Sequence, residues 1–282
     1  MKPPLLYGEM AENKIKPPEK IALIPGAEPS NRMDPWWWLV AGVFALAGGL
    51  MLFQPDPFLD IFKYVWVGIG ITVLVAVVSY FLMLILGLFG GLGRLSQNTL
   101  IRGIATFYVE IVRGIPLLVQ LIWWYFAFPV IIQTIGQALN FGPMLNYQAN
   151  PIVMAIWGMT FCYGAYMSEI YRAGIQSIPK GQMEAARSLG MSHTQAMRFI
   201  ILPQALRVIL PPMGNEFISL LKDTSLVSTV AVADMVRLGR EFTATNFNPI
   251  EVWSMIALLY LILTLLSSRL INYIEKKTAF SR

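Results

Sequence analysis

Long apolar runs separated by short polar connectors make up most of the chain, and their lengths decide its class. A helix that crosses a bilayer needs roughly 20 mainly apolar residues, within a range of about 17–25. Six runs meet or approach that condition: 36–53, 65–89, 115–132, 151–167, 206–221 and 249–268. The second is the clearest, with 25 residues and no charge. The first opens on Trp36, Trp37 and Trp38, side chains suited to a membrane interface. The fifth is the weakest, because Pro211, Pro212, Gly214 and Glu216 interrupt it. The pattern predicts an all-α, polytopic membrane protein with about six transmembrane helices.

Between the fourth and fifth runs the pattern changes to that of a small soluble helix pair, within residues 177–203. A first short helix is expected from Pro179, since proline tolerates the first helical turn. It runs through 182–189. Gly190 stands where a helix-ending glycine takes a left-handed conformation. Ser192 and Gln195 have capping-box spacing, which predicts a second helix over about 193–202. Pro203 is expected to separate that helix from the fifth span. Ala185, Ala186 and Leu189 make the first helix smooth beside Glu184, and Ala196, Met197, Ile200 and Ile201 give the second an apolar side. An insert this small cannot bury a core alone. Three readings compete: a structural loop on the membrane surface, a DNA-binding helix-turn-helix, or a docking surface for a partner. Tethering to membrane spans at both ends, with only Arg187 and Arg198 standing on the helices, argues against nucleic acid.

Composition agrees with lipid as the main solvent. Charged residues make up 13% of the chain against about 25% in soluble domains, and 56% of residues are hydrophobic. The net charge of +5 is distributed unevenly. With the N-terminus in the cytoplasm and six spans, 16 of the 21 Lys and Arg fall on the inner side and 4 on the outer. That bias favours cytoplasmic N- and C-termini and a cytoplasmic insert. Residues 1–35 read as a flexible cytoplasmic tail rather than a cleavable signal, because their polar stretch delays the first apolar run. Cys162 is the single cysteine and His193 the single histidine, so no metal cluster and no histidine-based catalysis is expected.

Charges at membrane depth are costly and usually functional. Glu110 and Arg113 are three apart and share a helix face, as do Glu169 and Arg172. Gly114, Ile115 and Pro116 follow, and a helix break there would free carbonyls near a pathway. Each pair reads either as a structural ion pair at the cytoplasmic interface or as part of that pathway. In "MGNEFISLLKDTSL", Asn215 and Glu216 interrupt an apolar run that Lys222 and Asp223 end. This stretch is either an external loop or the lining of a passage that holds a zwitterion between opposite charges. The aromatic run "LIWWYFAF" reads as an interfacial belt or packing between spans.

Here the residues carry a resemblance. "EAARSLGMSHTQAMRFIILPQA" resembles the EAA loop of ABC-importer permeases, with Glu184, Ala185, Ala186, Gly190, Ile200, Leu202 and Pro203 in matching positions. "YVEIVRGIPLLVQL", "AYMSEIYRAGIQSIPKGQ" and "PPMGNEFISLLKDTSLVS" resemble the polar amino-acid branch of that family, the histidine, glutamine, glutamate and arginine type. The resemblance spans about 62–277, with five spans as its core. Residues 36–53 are then an added N-terminal helix and 278–282 a C-terminal tail. It implies a non-catalytic permease subunit that couples through the 177–203 loop to a dimer of cytoplasmic ATPase subunits. It implies a second permease subunit, alike or a sister chain, and an extracytoplasmic amino-acid-binding protein. It places the chain in the cytoplasmic membrane of a bacterium. The chain has no G-x-x-x-x-G-K-[ST] loop, so ATP would be used by the partner and no cofactor is expected on this chain. By the resemblance, Glu184, Ala185, Ala186, Gly190, Leu202 and Pro203 belong to coupling, and it tilts Glu216 toward the passage. Asn215, Lys222, Asp223, Glu110 and Arg113 are the further passage candidates. An ion-gradient-driven transporter and a membrane anchor for a cytoplasmic complex remain alternatives; internal inverted repeats, expected of the first, are not evident.

Overall fold

The computed structural model describes residues 35–278, all of them helix, turn or connector. Residues 35–39 open the first helix, α1 (Pro35–Phe53); the rest lies in the unit Val40–Arg282. Among the described residues, five stretches are long and apolar enough to cross a membrane: Trp36–Phe53, Pro55–Leu95, Leu117–Leu139, His193–Val230 and Pro249–Glu275. The expected span at 151–167 is also a helix, α7 (Pro151–Gln176), but its composition falls short of that standard. The reason is its position. α7 packs along α2 (Pro55–Leu95), and twelve of its residues are buried, including Thr160 and Ser168. A helix enclosed by protein can carry small and polar side chains that lipid would reject.

The α2–α7 contact is close because glycines face it. A Cβ on Gly87 would lie 2.6 Å from the Met167 Cβ, so only a bare backbone fits there. Around this pair, Val75, Met83, Leu121, Met159, Leu220 and Val227 form the main core. At 41 residues, α2 runs well past both ends of the expected 65–89 span. From Val40 onward α1 is attached lightly: Leu50 and Met51 touch a second cluster containing Phe58, Ile61 and Met255.

Three local features depart from expectation. Residues 99–114 form a separate helix, α3 (Thr99–Gly114), whose first amides are accepted by the Asn98 side chain at 2.9 and 3.3 Å. The third span starts at Leu117 and runs to Leu139 through α4 (Leu117–Ile122), a π turn (Trp123–Ala127) and α5 (Phe128–Leu139). After the short α6 (Gly142–Leu145), Asn150 caps α7. Pro203 does not separate the insert from the fifth span. The helix α9 (His193–Ala196) passes through a second π turn (Met197–Ile201) into α10 (Leu202–Asp223). Both π turns end two residues before a proline, Pro129 and Pro203, with Phe128 N–H donating to Trp123 O and Leu202 N–H to Met197 O. A proline lacks the amide that continues an α-helix and crowds the turn before it; widening that turn to i→i+5 bonding keeps the chain helical.

Beyond α10 the structure is not a loop. Thr224–Val230 is a 3-10 helix with Thr224, Val227, Ser228 and Val230 buried. Asp234 then caps α11 (Met235–Asn246), and α12 (Pro249–Thr278) closes the fold.

Candidate functional site

The expected break after Arg113 is present. α3 ends at Gly114, Ile115 (φ −108°, ψ 129°) and Pro116 (φ −57°, ψ 140°) are extended, and α4 begins at Leu117. A residue before proline is driven out of the helical region, so the break follows directly from the Ile–Pro pair. Two of the carbonyls at this corner are taken by one side chain. Gln120 Nε2 donates to Val112 O at 2.9 Å and to Ile115 O at 2.8 Å.

This broken corner forms one wall of a cavity of about 440 Å³, lined by Arg113 to Leu117 on one side. α10 contributes Glu216, Ser219 and Asp223, and α7 contributes Cys162, Tyr163 and Tyr166. The α10 residues recur at three and four positions, so they share one face of that helix. Tyr163 O–H donates to Asp223 Oδ2 at 2.8 Å. The Arg113 guanidinium lies over the Tyr166 ring, 5.3 Å from its centroid. One cation and two carboxylates therefore line one cavity, and only Asp223 of the two carboxylates has a hydrogen-bond donor among the described residues. Asn215 and Lys222 lie on exposed parts of α10 and do not line it.

Glu110 belongs elsewhere, and the expected Glu110–Arg113 pair does not form. Arg94, reaching from α2 with a side chain only 13% exposed, contacts Glu169 at 2.8 Å and Glu110 at 3.2 Å. Glu169 also pairs with Arg172, as the spacing suggested. Sharing a helix face gives Glu110 only a weak claim on Arg113. A guanidinium held between three helices offers both carboxylates a better-placed partner.

The insert has the expected caps. α8 (Lys180–Ser188) follows Pro179. Gly190 has φ +83°, its N–H reaches Arg187 O at 3.0 Å, and Met191 N–H reaches Ala186 O at 3.1 Å. These two bonds form a Schellman ending that satisfies orphan carbonyls. The Ser192–Gln195 capping box is complete, at 3.3 and 2.8 Å. Ala186, Ala196 and Ile201 are buried, while Glu184 and Ala185 are exposed. Leu189 is 84% and Phe199 60% exposed. Of the remaining loop candidates, Leu202 and Pro203 are exposed at the start of α10 and Ile200 is half-buried.

Gln120, Tyr163, Tyr166, Cys162, Ser219 and Arg94 were not assigned to a site by sequence. Gln120 had a signal, a polar residue inside an apolar span. The tyrosines and the cysteine had none, because they sit in runs that read as ordinary packing.

Residues 83–280 match the family described as "Binding-protein-dependent transport system inner membrane component". The chain is 36% identical over 210 residues to the glutamine transport system permease protein GlnP of Escherichia coli strain K12, covering 74% of this chain and 90% of that one. It is 37% identical over 218 residues to the L-cystine transport system permease protein TcyB of Bacillus subtilis, covering 74% and 87%. A solved amino acid ABC transporter with histidines superposes with a TM-score of 0.68 at 32% identity, over 78% of this chain and 96% of that chain. The inward-facing MetNI methionine ABC transporter shares the fold, with a TM-score of 0.61 at 20% identity over 79% and 99%. The chain belongs to this family: it is a multi-pass inner-membrane permease of binding-protein-dependent transport.

Proposed function

We propose that the chain is the permease subunit of an ATP-driven importer for polar amino acids, and that the cavity between α3, α7 and α10 holds the amino acid in transit. The observation that carries this reading is Arg113 opposite Glu216 and Asp223 around a cavity of about 440 Å³. A free amino acid is a zwitterion. Its carboxylate suits a guanidinium, and its ammonium suits a carboxylate with no other donor, which Glu216 offers. The names of relatives that carry glutamine and L-cystine support the substrate class.

The insert is then the coupling element, with Glu184, Ala185, Ala186, Gly190, Leu202 and Pro203 forming or aiming its docking face. Exposed Leu189 and Phe199 on a segment meant for the cytoplasm suit burial against a dimer of ATPase subunits. The uninterrupted helix from His193 through α10 connects that surface to Glu216, giving motion a stiff path. The chain itself would be non-catalytic, with ATP used by the partner. A second permease subunit and an extracytoplasmic binding protein complete the assembly. N-terminus, C-terminus and insert face the cytoplasm. The 62–277 segment forms the transport core, and α1 is an addition outside the family match, which begins at residue 83.

Uptake by the complete complex in proteoliposomes tests the reading. Amino-acid accumulation should require ATP and be indifferent to an imposed ion gradient. Accumulation driven by a gradient without ATP would instead make the chain a secondary transporter.

A further inference from the structure

Gln120 does what the backbone at the α3–α4 corner cannot do. In an unbroken helix the Val112 carbonyl would accept from the amide four residues on, which is Pro116, and proline has no amide hydrogen. The remaining backbone donor, Ile115 N–H, reaches Val112 O only at 3.4 Å. The Gln120 amide supplies the missing donor at 2.9 Å and spends its second hydrogen on Ile115 O at 2.8 Å. These two carbonyls bracket Arg113 and Gly114 in sequence. The Gln120 side chain is nearly closed off, at 8% exposure, and its nitrogen also lies 3.5 Å from Cys162 Sγ on α7. It further stands between two cavities. It lines an apolar one of about 320 Å³ with Val119, Trp123, Trp124 and Phe161, while the polar cavity lies beyond the corner it holds.

We propose that Gln120 is a positioning residue for transport: it fixes the corner that aims Arg113 into the cavity and so sets the affinity for the amino-acid carboxylate. This rests on the reading of that cavity as the amino-acid site. Gln120 itself touches no substrate. Its two hydrogen bonds stand in for helix bonds that Pro116 removes, so the corner keeps one geometry instead of several. Losing both would leave Ile115 O without a donor and Val112 O with only the long Ile115 N–H bond, in a closed setting, and let Arg113 drift from its place over Tyr166.

The test uses the full chain assembled with its ATPase partner in lipid nanodiscs, with equilibrium binding of each common amino acid. Gln120→Met keeps length and bulk but has no donor. Gln120→Asn keeps a donor too short to bridge both carbonyls. Each should weaken the best-bound amino acid by roughly tenfold, the order expected for two lost hydrogen bonds. The complex should elute unchanged, and Cys162 should react faster with a small methanethiosulfonate as its neighbour withdraws. Arg113→Ala is measured alongside. If Arg113→Ala weakens binding and neither Gln120 variant does, the positioning role is overturned and the cavity reading stands. If Arg113→Ala has no effect either, the cavity reading falls and this role falls with it. If neither Gln120 variant assembles, Gln120 is a requirement for folding, and the proposal is also overturned.

Discussion

Tyr163 on α7 donates its phenolic proton to Asp223 at the end of α10, at 2.8 Å and across sixty positions of sequence. The bond ties the most enclosed helix to the C-terminal end of the helix that carries Glu216, and both residues line the cavity. Tyr163→Phe removes the hydroxyl and little else. A hydrogen bond to a charged group contributes about 1.5–3 kcal/mol, so amino-acid binding should weaken by about tenfold or more while the complex still assembles. Unchanged affinity in equilibrium binding would show that Asp223 is held by other means.

Gly190 takes φ +83° in the Schellman ending of α8, and a Cβ there would meet nothing within 4 Å. The constraint is therefore one of backbone conformation and not of space. Gly190→Val should cost about 1–3 kcal/mol locally and reduce co-purification of the ATPase with an inserted permease. Gly190→Asn should restore much of it, because asparagine tolerates the left-handed region. Equal loss with both variants would point to side-chain bulk at the docking face instead.

Arg94 joins α2, α3 and α7 through Glu110 and Glu169. Arg94→Ala removes the partner of Glu110 and leaves Glu169 to Arg172 alone. The thermal midpoint should fall by an amount corresponding to about 1–3 kcal/mol. Arg94→Lys should recover only part of it, since an ammonium cannot fork between two carboxylates as a guanidinium does. A midpoint that does not move would mean the junction is neutral for stability.

Asp234 lies between the fifth span and α11, fully buried, with its carboxylate accepting from Val236 and Arg237 amides at 3.2 and 3.0 Å. Burial pushes its pKa up to about 6, and the backbone donors and Arg240 oppose this without cancelling it. The folded state thus holds the proton more tightly than the unfolded chain does. This contribution to stability is present below the ordinary aspartate range and is lost as pH rises to about 6. Asp234→Asn keeps a capping oxygen and removes the charge. It should raise the melting temperature at about pH 8 and change it little at about pH 4. A lower melting temperature at the higher pH would show that the charged cap outweighs its burial.

Much of this fold could be read from local pattern, and the failures were nonlocal. Runs near 20 apolar residues located the spans, while Gly190 and the Ser192–Gln195 spacing located the turns of the insert, because caps depend on residues a few positions apart. α3 was missed as a separate helix because Arg102 and Gly103 break its apolar pattern. Pro203 was read as a separator because a π turn leaves no simple sequence mark. At the site, charges inside apolar runs drew attention to Arg113, Glu216 and Asp223, which the fold gathers around one cavity. The same rule misplaced Glu110, whose partner Arg94 lies on another helix, and included Asn215 and Lys222, which face outward from α10. Tyr163 carried no sequence signal, and Cys162, noted only as the single cysteine, gained a place at the cavity once α7 was seen to pass beside α10.

The central claim is that Arg113 and Glu216 hold the two ends of an amino acid, and binding of truncated ligands tests it most directly. For the amino acid the assembled transporter binds best, affinity is measured beside that of its decarboxylated amine and its deaminated acid, on the unaltered protein and on Glu216→Gln. The account predicts that each truncated ligand loses roughly tenfold or more on the unaltered protein, the order of a charged hydrogen bond. It also predicts that Glu216→Gln weakens the amino acid while leaving the deaminated acid nearly unaffected. Equal binding of all three ligands, or an amino-acid affinity that ignores Glu216→Gln, would contradict it.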